Sequence, residues 1–391
     1  MMNETKLRNR TLDIMKGIAI IMMVYGHTFG LLRDWIYLYH MPVFFMISGY
    51  FWNLNYAVSR DSFYIFFFSK VKRLLVPMYI WYFIFCLFQN IFVDINFYTS
   101  SVEFLNTVGD TPIAQTIIYK EDIFVILSHC YQSFLLNFSP QLTGPSWFLY
   151  ALFMVSIIHA LLCYVINTYC KINRYFRFVI WMFIFTCVCV LAWAFSLGLG
   201  DTVFLMRHRR LAAAYVCYLL GIGIRNFKHN EEIHKSITFF FENRVYKFIF
   251  CLISIFLLTI LSFYGKIELS DCTITNPLFL IVNSLLGWVL LFFSGQLIED
   301  SRIGFFLSYV GRHTMSIMAL HLIGFKLVSY VLVLFENLPI YNVASYPIIF
   351  DVSESVKIIY TVVGVIVPIV VSDFYFRSKD IICKKFIHYN H

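Results

Sequence analysis

The chain has 391 residues, 60 % of them hydrophobic and 13 % charged, with a mean hydropathy of +0.75. Soluble proteins average about 45–50 % apolar and ~25 % charged residues, so a soluble globular domain is excluded, as are a disordered chain, a collagen and a disulfide-rich secreted scaffold. The net charge of +8 is read as the positive-inside bias of a polytopic membrane protein, and not as a nucleic-acid surface, because no Lys/Arg run is interleaved with aromatics.

Ten apolar segments follow one another: 13–32, 40–58, 74–93, 146–166, 178–198, 211–224, 248–264, 278–297, 313–335 and 356–376. A transmembrane helix needs about 20 mostly apolar residues, and the sixth segment is short for that. The runs are continuously apolar, whereas a barrel would show alternating segments of about ten residues. The expected fold is all-α, a polytopic membrane helical bundle of about ten transmembrane helices. The first segment carries Asp13 and Lys16 and no small-residue cleavage site, so it is read as retained and not as a signal peptide.

With the N-terminus inside, 21 of the 30 Lys and Arg fall in cytoplasmic segments and six in outer loops, which predicts both termini cytoplasmic. The longest outer loop is 94–145, and its piece 123–138 reads as a re-entrant or interfacial helix. A single membrane domain over 1–391, with no appended soluble domain, is expected. Most of the ten cysteines lie in apolar stretches, where thiols behave as small hydrophobes. Cys187-x-Cys189 is too close-set for zinc, no metal site is expected, and a Cys130–Cys272 bridge is left open.

Ionisable groups inside membrane spans are costly, so each is a functional candidate. Lys16 and His27 are eleven residues apart, three turns plus about 20°, which puts both on one helix face roughly 16 Å apart. Asp13, one turn below Lys16, is placed to pair with it. The plainer alternatives are a snorkelling Lys16, an interfacial helix-end His27, and Gly26 and Gly30 as packing residues. Clustering favours chemistry: His40 begins the second segment just across a short connection, and imidazole is suited to take a proton from a hydroxyl near neutral pH. His129 and His159 are read as structural.

Lys16-x10-His27, followed by His40-Met41-Pro42 and Phe44-Phe45-x-x-Ser48-Gly49, resembles the opening of the membrane acyltransferase-3 family. Lys70-x-x-Arg73 is similar to the family's Arg-x-x-Arg. Trp147-Phe148-Leu149 and Gly311 through Thr314, with a trailing His321, are similar to later motifs. The flavour is that of fucose 4-O-acetylase-like integral-membrane O-acetyltransferases. The resemblance implies transfer of an acetyl or related acyl group from cytoplasmic acyl-CoA to a hydroxyl of a cell-surface glycan or lipid-linked sugar, in a bacterial cytoplasmic membrane. It implies that His27 is essential and that the Lys16, Lys70 and Arg73 positions belong to donor-binding and activity motifs. Lys for Arg at position 70 weakens bidentate phosphate recognition.

In the reading built on that resemblance, His27 is the general base, with His40, Lys16 and Asp13 beside it in the catalytic set. Arg10, Lys70 and Arg73 hold the phosphates of acetyl-CoA. Ser48, Trp147, Arg207, Arg210 and His321 contact the acceptor; Arg207 and Arg210 are equally read as an interfacial anchor. Lys326 is expected to neutralise a buried acid. The competing function is a transporter, flippase or polymerase-type export protein for a lipid-linked sugar, against which stands the lack of paired Gly/Pro-broken helices in matching halves.

Overall fold

The computed structural model describes residues 9–107, 115–169, 174–199, 208–228 and 242–389. In chain order its helices are α1 (Arg10–Gly26), α2 (Arg33–Tyr37), α3 (His40–Tyr50), α4 (Arg60–Lys70), α5 (Val76–Leu87), α6 (Gln89–Asp94), α7 (Glu103–Thr107) and α8 (Ile123–Phe134). They continue with α9 (Trp147–Tyr169), α10 (Arg174–Ser196), α11 (Arg210–Lys228), α12 (Arg244–Ser262), α13 (Pro277–Ile298), α14 (Arg302–Arg312), α15 (Thr314–Phe335) and α16 (Glu354–Tyr389). The described strands, β1 (Ile267–Glu268) and β2 (Thr273–Ile274), form one antiparallel pair with Ile267 opposite Ile274.

Among the described residues, six helical stretches are long and apolar enough to cross a membrane: 141–169, 175–196, 244–262, 277–298, 314–335 and 354–375. They coincide with the fourth, fifth and last four predicted segments. The other four differ. α1 has 17 residues and ends at Gly26, because the chain turns there, with Phe29 in the left-handed region at φ +54°.

α3 is 11 residues long, about half the ~30 Å hydrocarbon layer at roughly 1.5 Å per residue. Apolarity persists to Trp52, but the backbone does not stay α-helical. The Asn53 side chain accepts from the Asn55 N–H and opens a 3₁₀ turn. Ser59 and Ser62 then form a reciprocal cap that starts α4. The third predicted segment begins earlier than expected, since α4 runs into α5 through a π turn at Val71–Leu75. α11 is longer than predicted at both ends. α8 confirms a short helix within 123–138 that does not reach spanning length.

The chain falls into two compact units. The first takes residues up to Met23, Leu32–Pro77 and Trp147–Gly311. Its close packing rests on glycines. A Cβ on Gly17 would stand 2.0 Å from the Leu307 carbonyl oxygen, and one on Gly311 1.9 Å from that of Asp13, so α1 and α14 touch backbone to backbone. α3 and α11 do the same, Gly49 against the Tyr218 carbonyl and Gly221 against that of Met46. Trp52, Ala57, Phe66, Ala160 and Cys163 form a buried cluster. His159 is a satisfied core residue there, bonded to the Tyr215 hydroxyl (3.1 Å) and the Cys163 thiol (3.4 Å).

The second unit takes Val24–Leu31, Met78–Ser146 and the chain from Arg312 onward. Here α15 packs on α16, with Gly324 against the Gly364 backbone. The Gln115 amide pairs with both backbone groups of Tyr346, at 2.7 and 2.8 Å. His129 pairs with Glu121 (3.1 Å) and stacks on Phe138. The Cys130 and Cys272 thiols are free; no bridge joins them, and Cys272 donates to the Arg209 carbonyl instead.

Candidate functional site

In the first unit, Lys16 Nζ pairs with Asp13 Oδ1 at 2.7 Å, one helical turn apart as the spacing predicts. The Asp13 side chain is 4 % exposed and that of Lys16 22 %, so both charges are largely withdrawn from solvent. Arg10 donates to the Glu299 carbonyl (3.4 Å), pairs with Asp300 (3.5 Å) and lies 4.4 Å over the Phe305 ring. Besides any contact with a donor, Arg10 therefore ties the start of α1 to the α13–α14 corner.

His40 is buried, and its Nδ1–H donates to the Ile36 carbonyl at 2.9 Å. A carbonyl only accepts, so the proton sits on Nδ1 and Nε2 keeps the lone pair. Ser48 lies half-buried on α3, beside the Gly49 that α11 needs for close approach. Arg210 stands 5.1 Å over the Trp147 ring, and the Tyr150 hydroxyl meets His208 Nε2 at 2.8 Å. Two of the residues assigned to the acceptor thus meet; Arg207 lies outside the described residues.

Lys70 stands at the start of the π turn between α4 and α5 and Arg73 lies within it, a local widening often found at functional positions. Lys70 lies 5.3 Å from the Phe66 ring centre, and burial together with the Arg73 cation lowers its pKa to about 8. Arg73 is exposed.

The second unit holds His27 and His321. Their rings stack, with centroids 5.3 Å apart and planes at 30°. His321 is fully buried on α15, and its Nδ1–H donates to the Ile317 carbonyl at 2.9 Å. Its Nε2, also buried, has no hydrogen-bond partner among the described residues. The pair thus offers a half-buried imidazole beside a second one that keeps an unused acceptor lone pair. His27 sits in the turn after α1. There the Tyr25 hydroxyl donates to Glu354 Oε2 (2.9 Å) and the Leu31 N–H approaches the same oxygen (3.4 Å). Lys357 Nζ bonds both Glu354 Oε1 (2.8 Å) and the Phe29 carbonyl (3.2 Å).

Sequence reasoning missed Tyr25, Glu354 and Lys357. The available signal was a Glu-x-x-Lys pair at the mouth of the last apolar segment. Lys326 departs from expectation: among the described residues no acid pairs with it, and its ammonium donates to the Val343 (3.0 Å) and Ser345 (2.7 Å) carbonyls. Among the described residues no group of three or more His, Cys, Asp or Glu is arranged to hold a metal.

Apolar spanning helices and a histidine pair at the end of α1 define a multi-pass, all-α integral membrane protein with the makings of a proton-transfer site. Residues 9–377 match the family model described as Acyltransferase domain, and the chain belongs to that acyltransferase-3 family. It is also similar to the Nodulation protein NolL of Sinorhizobium fredii (strain NBRC 101917 / NGR234), 30 % identical over 157 residues, which cover 37 % of this chain and 34 % of that protein. The match therefore spans about a third of that relative's length. No solved structure matches the chain.

Proposed function

We propose that this acyltransferase moves an acetyl or related acyl group from cytoplasmic acyl-CoA to a hydroxyl of a cell-surface glycan or lipid-linked sugar, in a bacterial cytoplasmic membrane, with His27 as general base. The observation that carries the reading is the His27–His321 stack in a chain whose family transfers acyl groups. His27 accepts the acceptor's hydroxyl proton as the oxygen attacks the thioester carbonyl. The tetrahedral intermediate collapses, the C–S bond breaks, and the imidazolium returns the proton to the departing sulfur. A thiolate is a good leaving group, so one base suffices. The lone pair on His321 Nε2 is available to accept from a donor group of the substrate, in keeping with the acceptor-contact role that its motif implies.

Lys70 and Arg73 supply cations for the donor's phosphates, with Arg10 beside them in role. Trp147 and Arg210 offer an aromatic face and a cation to an acidic or ring-shaped acceptor. About ten membrane crossings with both termini cytoplasmic complete the reading.

The test is the O-acetyl content of the host's surface polysaccharide by proton NMR, in wild type, a deletion strain, and the deletion complemented with His27→Ala at equal membrane abundance. Loss of acetyl signals in the second and third strains is expected. Unchanged acetyl in all three, with less polymer exported, would replace transfer by export.

A further inference from the structure

We propose that Glu354 and Lys357, at the start of α16, are positioning residues that fix the His27 turn for acyl transfer. The inference rests on the reading of His27 as general base and extends it to two residues with no assigned role. α1 stops at Gly26, and His27 lies in the turn that follows it. A set of bonds on both sides fixes that turn. Upstream, the Tyr25 hydroxyl donates to Glu354 Oε2. Downstream, the Leu31 N–H points at the same oxygen and the Phe29 carbonyl accepts from Lys357. Glu354 and Lys357 are themselves joined at 2.8 Å, so one ion pair holds the two ends of a seven-residue segment, 25–31.

The turn needs such a hold. Phe29 adopts φ +54°, a conformation that a bulky side chain rarely takes and that persists only where its surroundings fix it. The Phe29 ring also packs on Phe350, 5.6 Å between centroids, just ahead of α16. Thr28 adds a local bond from its hydroxyl to the Tyr25 carbonyl. The ion pair is too far along the chain to be a local cap: it brings the opening of the last helix to a turn more than 320 residues earlier. A misplacement of about 1 Å in a reacting group costs on the order of 10²-fold in rate, which sets the expected size of the effect.

The experiment uses the full chain in nanodiscs, acetyl-CoA as donor and the host's surface polysaccharide, de-O-acetylated by mild base, as acceptor. Rates against acetyl-CoA concentration give kcat and donor KM; membrane abundance and thermal midpoint are measured in parallel. Glu354→Ala and Lys357→Ala are expected to lower kcat on the order of 10²-fold with donor KM within about twofold of wild type. Glu354→Gln still accepts from Tyr25 and Leu31, and Lys357→Arg keeps the cation; each is expected to recover at least tenfold of the loss. Tyr25→Phe removes one hydroxyl without changing packing volume and decides the matter if the alanine variants fold poorly; a roughly tenfold fall in kcat at an unchanged midpoint is expected.

Wild-type kcat in Tyr25→Phe and Glu354→Ala would overturn the proposal. So would turnover that falls only in proportion to folded protein across all the variants. His27→Ala separates the two readings. If it is inactive while Glu354→Ala is active, positioning fails and the base assignment stands; if His27→Ala is itself active, the base assignment fails.

Discussion

The imidazole of His321 stacks on that of His27, while its own Nδ1–H is committed to the Ile317 carbonyl. Stacked rings direct their in-plane lone pairs past each other, so His321 does not orient His27 as a hydrogen-bonded carboxylate would. Its contribution is a ring face and an acceptor lone pair. His321→Asn places an amide N–H where Nδ1 stands, which keeps the bond to Ile317 but removes both. At equal membrane abundance, His27→Ala is expected to lose about 10²–10⁴-fold in turnover, and His321→Asn a smaller factor, with acceptor KM rising. Wild-type kinetics in His321→Asn would remove His321 from the site.

Lys70 gives a pH signature. Its pKa lies near 8, depressed by burial and by Arg73. Below that value Lys70 is cationic and attracts a phosphate; above it the attraction fades. Donor KM is therefore expected to rise as pH passes through about 8, with a smaller rise at constant pH when salt is added. Lys70→Arg stays charged over this range, so its donor KM is expected to stay flat across the same interval. A wild-type KM flat from pH 7 to 9 would separate Lys70 from donor binding.

Continuous apolarity made six helices legible, α9, α10, α12, α13, α15 and α16, because their length and hydropathy leave the backbone no alternative in a bilayer. α3 was overextended for the converse reason: Tyr50, Phe51 and Trp52 remain apolar while Asn53 redirects the backbone. Asp13 and Lys16 were readable as a pair because three residues on a helix fix their geometry. The partner of His27 was not. Chain proximity pointed to His40, whereas the stacked ring is His321, and no local pattern shows which distant residue meets the turn after α1. Lys326 shows the same limit, since a carbonyl that accepts from a lysine leaves no trace in the sequence.

The contact of Gly17 with Gly311 is open to a steric test. A methyl group on Gly311 would meet the Asp13 carbonyl oxygen at 1.9 Å, a backbone atom with no rotamer to give. Overpacking of this kind costs about 1–3 kcal/mol or more. Gly311→Ala is expected to lower folded yield and thermal midpoint in size-exclusion assays, while Gly223→Ala, which meets nothing within 4 Å, is expected to match wild type. Equal behaviour of the two would mean that α1 and α14 are not in backbone contact.

Lys326 offers a stability test independent of catalysis. Its ammonium is fully buried and is held by two backbone carbonyls of the segment that follows α15. Lys326→Met keeps most of the side chain's length and apolar stem, so packing is largely retained. What it removes is the donor, and each buried carbonyl left without a partner costs about 1–3 kcal/mol. The expected loss is therefore about 2–6 kcal/mol, seen as a thermal midpoint lower by on the order of 5 °C or more. Lys266→Met at an exposed loop position is the control and is expected to change stability by less than about 0.5 kcal/mol. If the two variants melt together, the carbonyls find other donors and Lys326 is not what holds that segment on α15.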